Sequence, residues 1–182
     1  MIDEKVILGV DPSLRGTGYA VVRVKGAKRW ICEEYGVIRV ASEIPVEYCL
    51  LRIHETLMEL IARCNPAVLA IESTIYVQSV RTAIVLGAAR GAALLAAARS
   101  GMEIHEFAPR KIKQAVVGRG AAKKEQVAFM VRSIYGLTST PPSDAADALA
   151  VATAYLQGRA ARKLYWEKNE AAPNPVSWQN PV

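Results

Sequence analysis

Aspartate is scarce in this 182-residue chain: there are four, Asp3, Asp11, Asp144 and Asp147, against 23 Lys and Arg. Scarcity makes placement informative, because three of the four stand in apolar or motif-like settings. Histidine is scarcer, with only His54 and His105. The three cysteines, Cys32, Cys49 and Cys64, show no Cys-x-x-Cys spacing. An odd count without that spacing indicates neither a zinc site nor a disulfide framework. Buried free thiols in a reducing, cytoplasmic setting are the plain expectation. No charged leader followed by an apolar stretch opens the chain, so no signal peptide is expected. The longest greasy segment, Ile84 to Ala98, is Ala-rich and interrupted by Arg90, and reads as a buried helix and not a membrane span. Internal repeats and low-complexity linkers are lacking too, which points to one domain, residues 1–160, followed by a loose tail over 161–182.

What is present is a core-forming, basic composition: 52% hydrophobic, 22% charged, net charge +6. A basic soluble protein suits a polyanionic partner, since Lys and Arg contacts to phosphate release condensed counterions. Apolar patterning predicts strands over Lys5 to Asp11, Tyr19 to Val24 and Trp30 to Val40, with PSLRGTG as a loop between the first two. A helix follows over Pro45 to Cys64, stopped by Pro66, then a short strand, Ala67 to Glu72. A long helix over Gln78 to Ser100 leads to a strand over Met102 to Phe107. Three helices complete the pattern: Pro109 to Val117, Lys123 to Tyr135 and Ser143 to Ala160. Gly118 and Gly136 suit helix stops. The order β-β-β-α-β-α-β-α-α-α predicts an α/β fold. Its mixed five-stranded sheet, an antiparallel meander plus parallel strands, would be flanked by helices.

On that layout four carboxylates can converge. Asp11 ends the first strand and Glu72 the fourth, where open α/β sheets place their ligand crevice. Asp144 and Asp147, three apart at a helix start, share one helical face. Their Ala-rich helix can approach a sheet closely. Each acid has an ordinary explanation: dipole complement or N-cap for Asp144 and Asp147, turn former for Asp11. Glu72 is harder to explain so, because it closes an apolar run. Four carboxylates at one point repel unless cations neutralise them. All-oxygen donors select Mg²⁺, with Mn²⁺ a natural substitute. Two such ions can drive phosphodiester hydrolysis.

The segments ILGVDPSLRGTGYAVV, AIEST, LGAARGAALLAA, PRKIKQAVVGRGAAKKEQV and SDAADALAVA, in this order over about residues 5 to 157, resemble the bacterial RuvC Holliday junction resolvases. The resemblance implies a ribonuclease H-like fold, a homodimer, and Mg²⁺-dependent paired nicking of four-way DNA junctions in recombination and repair. It implies RuvA and RuvB proteins as partners. Asp11, Glu72, Asp144 and Asp147 fall on the family's catalytic, metal-binding positions, and Lys113 and Lys124 on its basic positions near DNA. Where members commonly carry a stacking Phe, three residues after the catalytic Glu, this chain has Ile75, with Tyr76 next to it. Ser13 stands where a Gly is usual.

A basic stretch precedes the Asp pair. Arg110, Lys111, Lys113, Arg119, Lys123, Lys124 and Arg132 occur there, opposed only by Glu125. It is expected to contact phosphates, which position DNA without reading sequence. Arg81 and Arg90 are weaker candidates. Small residues along the long helix, Ala83, Gly87, Ala88, Gly91 and Ala92, permit close approach to the sheet or to a partner helix. Asp11 followed by Gly16-Thr17-Gly18 faintly resembles the phosphate loop of actin-like ATPases, but 182 residues give no second lobe. A ribonuclease H-type hybrid nuclease shares the carboxylate chemistry without the basic loop.

Overall fold

A computed structural model describes residues 5–26, 29–73 and 79–168, with side chains to 159. Ile75, Tyr76 and the Ala27-Lys28 turn lie outside the described residues. Three strands open the fold: β1 (Val6–Asp11), β2 (Gly16–Lys25) and β3 (Arg29–Arg39). They form the expected meander, β1 and β3 both pairing antiparallel with β2. Helix α1 (Val46–Cys64) crosses to β4 (Val68–Glu72), and α2 (Val80–Arg99) crosses to β5 (Glu103–Phe107). Both later strands pair parallel, giving the order β3-β2-β1-β4-β5. Then come α3 (Pro109–Val117), α4 (Lys124–Tyr135) and α5 (Ser143–Lys168).

β1 is central because it is apolar on both faces. Ile7, Leu8 and Val10 are at most 1% exposed. Strand alternation sends Leu8, Val10, Leu69 and Ile71 into a cluster with α1 and α2. Ile7, Ala20, Val68 and Ala70 face the other way, into a cluster dominated by α5. Helices therefore cover both faces of the sheet. The outer strands carry charge instead: Arg29, Glu33 and Arg39 on β3, Glu103 and Glu106 on β5. Pro109 opens α3 at its first turn, and Gly118 and Gly136 cap α3 and α4 in left-handed backbone, as expected.

Three expectations are corrected. β2 begins at Gly16, three residues before Tyr19, because Gly18 pairs with Asp11 and Gly16 with Arg39. The Thr17 hydroxyl also donates to the Ser13 carbonyl at 2.5 Å and accepts the Ser13 amide at 3.2 Å, closing the loop tightly. α5 continues to Lys168, eight residues beyond Ala160, so the tail expected from 161 begins as helix. α2 is not a buried helix. Only Ala89, Ala93, Ala96 and Ala97 are buried, while Val80, Ile84 and Leu95 are 79%, 67% and 60% exposed. By length and composition alone α2 could cross a membrane, yet its alanine face packs into the core shared with α1 and the sheet.

Candidate active site

The site forms where two strand ends meet a helix start. β1 and β4 run parallel with Val10 opposite Ile71, so the next residues, Asp11 and Glu72, reach one rim on adjacent strands. Alternation places both on the α5 side, in step with Ile7 and Val68. α5 lies close on that side because its inner face is small: Ala145, Ala148 and Ala152 are fully buried. Its first turn carries Asp144 and Asp147 to the rim.

The resulting cleft, about 220 Å³, is lined by Asp11, Glu72 and Asp147, by Lys113 and Lys124, and by apolar Pro109, Ile112 and Val127. Burial pushes the Asp11 carboxyl up to about 7, aided by repulsion from Glu72, Asp147 and Asp144 and opposed by Lys124. Glu72 is also raised, first by burial and then by Asp147, against Lys124 and Lys113. The Asp147 carboxylate raises Lys124 in turn, by its charge and by accepting a hydrogen bond from Nζ at 3.1 Å. This is the electrostatics of negative charge in want of a cation.

Asp144 sits differently. It does not line the cleft; its Oδ2 lies beside Gly16, over the start of β2. It still adds to the repulsion felt by Asp11. Among the described residues, no three acidic, imidazole or thiol side chains stand in a metal-holding arrangement. The donor set itself fits a hard divalent ion: clustered carboxylates, with Asp11 and Glu72 partly buried and raised in proton affinity, and lysines as the counter-charge.

Of the basic residues read from sequence, Lys113 and Lys124 reach the cleft. Arg110, Lys111, Arg119 and Lys123 stay exposed outside it, on the α3–α4 connection and its flanks. Arg110 runs along the backbone of Gly120. Arg132 is turned to the Leu137 and Thr138 carbonyls. Arg90 pairs with Glu106 at 2.5 Å, on the opposite side of the sheet. Arg81 is exposed at the start of α2. Neither histidine lines the cleft: His105 packs on the Tyr155 ring, centroids 4.9 Å apart, and His54 lies on α1.

Comparison with known proteins agrees with this geometry. The family model described as crossover junction endodeoxyribonuclease RuvC matches residues 7–155. The RuvC of Akkermansia muciniphila is 48% identical over 150 residues, covering 82% of this chain and 89% of the relative. That of Desulforamulus reducens is 40% identical over 153 residues, covering 84% and 93%. The solved structure of Thermus thermophilus RuvC with a Holliday junction substrate superposes with a TM-score of 0.82 at 35% identity, covering 87% of this chain and 96% of that one. The sheet order, the carboxylate rim and these matches together place the chain in the RuvC family of crossover junction endodeoxyribonucleases, on a ribonuclease H-like fold.

Proposed function

We propose that this chain resolves four-way DNA junctions by hydrolysing one phosphodiester per subunit at the cleft between Asp11, Glu72 and Asp147. The observation that carries the reading is the pairing of Asp11 and Glu72 on adjacent parallel strand ends beneath Asp147, with Lys113 and Lys124 in the same cleft. Such a cleft binds the scissile phosphate through its lysines and repels it through its acids until a cation intervenes.

Asp11, Glu72, Asp144 and Asp147 are the residues that would hold Mg²⁺, or Mn²⁺ in its place, in the two-ion stoichiometry that four carboxylates permit. A bound divalent ion supplies Lewis acidity, which polarises the phosphoryl oxygen and lowers the pKa of attacking water. The chain's own residues do the rest. Asp11 and Glu72, held on rigid strands, fix the cleft's floor. Asp147 rides on α5 and is reached by Lys124, whose Nζ can leave it to meet phosphate. Lys113 offsets the charge of Glu72. Pro109, Ile112 and Val127 make the cleft wall apolar and restrict water. Exposed Arg110, Lys111, Arg119 and Lys123 extend a cationic path for the duplex arms. Ile75 or Tyr76 would enter the opened junction.

Paired symmetric nicks need two clefts related by a two-fold. The exposed apolar residues of α2, Val80, Ile84 and Leu95, supply a surface for a homodimer. Membership in the family supports RuvA and RuvB proteins as partners and a cytoplasmic setting. A synthetic mobile four-way junction incubated with Mg²⁺ tests the reading. Symmetric nicks, absent in chelator, are expected; intact junctions across varied core sequences would overturn it.

A further inference from the structure

Asp144 is the only one of the four carboxylates outside the cleft, and what lies beneath it is unusual. On the α5 side of β2 the first two positions are Gly16 and Gly18. A Cβ at Gly18 would stand 1.9 Å from the Asp144 carbonyl oxygen and 2.4 Å from its carbon, a collision with backbone. A Cβ at Gly16 would stand 3.1 Å from Asp144 Oδ2. The glycines cannot withdraw, because the Thr17 clasp on Ser13 holds the strand start and the Asp11–Gly18 pairing fixes its register.

We propose that Gly16 and Gly18 are positioning residues for catalysis, forming a side-chain-free seat that sets the height of the first turn of α5 and the direction of the Asp144 carboxylate. Gly18 fixes the main chain of Asp144 directly over the strand residue paired with Asp11. Gly16 leaves the space its carboxylate occupies. Any Cβ at Gly18 must lift the start of α5, and with it Asp144 and Asp147, away from Asp11 and Glu72. Any Cβ at Gly16 presses on the carboxylate alone. Displacements of this size matter in a charge-coupled site, where a shift of about 1 Å can cost on the order of 100-fold in rate. The inference rests on the catalytic role proposed above for Asp144.

The test compares Gly16→Ala and Gly18→Ala with Gly36→Ala. The last would put a Cβ 2.6 Å from the Tyr19 hydroxyl and 2.7 Å from the ring carbon that bears it, a strain on the sheet away from the site. Four quantities are read: kcat at saturating junction, junction Kd in chelator, Mn²⁺ affinity by calorimetry without DNA, and melting temperature. For Gly16→Ala we expect kcat to fall about 10-fold or more and Mn²⁺ to bind roughly 10-fold more weakly. Junction Kd should stay within about twofold and melting within about 3 °C of the parent protein. Gly18→Ala should lose more of both kcat and Mn²⁺ affinity; if it fails to fold, Gly16→Ala decides. Gly36→Ala should lower melting without lowering kcat. Parental kcat and Mn²⁺ affinity in Gly16→Ala would overturn the seat. Asp144→Asn separates the two ideas: parental cleavage there removes the catalytic role of Asp144 itself, whereas an inactive Asp144→Asn beside a parental Gly16→Ala removes only the seat.

Discussion

Asp11 holds its proton unusually tightly because it ends a buried strand among other carboxylates. A folded-state pKa raised from 3.8 to about 7 means that the folded state binds more protons than the unfolded one between those values. The stabilising contribution is complete below the unfolded pKa and disappears as pH rises through about 7. At about 1.4 kcal/mol per unit, the loss is on the order of 4 kcal/mol at most. Asp11→Asn should therefore melt several degrees above the parent at pH 8 in chelator, and the gap should close toward pH 4. A constant gap across that range would contradict the assignment. The same variant is expected to bind junctions and cut none. Lys113→Ala with Lys124→Ala should weaken junction binding and lower the salt slope by about 1 to 2, since two phosphate neighbours are lost. Binding unchanged at several salt concentrations would remove both residues from the DNA path. At this scale the sequence was legible where a residue broke its pattern. Glu72 ended an apolar run, and two of only four aspartates stood three apart. Asp144's offset from the cleft was not legible, because helical spacing gives the shared face but not the neighbour beneath it.

At the scale of elements, α5 is the piece that makes the site. Its alanines were readable as a license for close approach. The partner surface was not, since the glycines of β2 had the composition of a turn and only pairing with Asp11 makes them strand. The closeness is measurable on β1: a Cβ at Gly9 would lie 2.3 Å from the Ala148 carbonyl and 3.0 Å from the Ala152 methyl. Ala152→Leu should then cost about 2 kcal/mol or more by overpacking, seen as a lower urea midpoint with unchanged slope. A neutral Ala152→Leu would show that α5 sits higher than described. α2 taught the opposite lesson. Its apolar content reads as burial, yet apolar content does not distinguish a core face from one left exposed on the surface.

For the whole molecule, that surface predicts association. Ile84→Glu is expected to sediment as a monomer at micromolar concentration, to keep its melting cooperativity, and to lose paired symmetric cleavage. A dimeric Ile84→Glu would move the interface elsewhere. The charged outer strands bear on how far association goes. Unpaired strand edges invite further copies, and charge along them discourages that pairing. Arg29, Glu33 and Arg39 lie on one outer strand and Glu103 and Glu106 on the other. Like charges meeting edge to edge disfavour growth by strand addition, which would string clefts along a fibre. On the proposed reading, the α2 face is then a contact that uses itself up: an assembly that would count to two and stop.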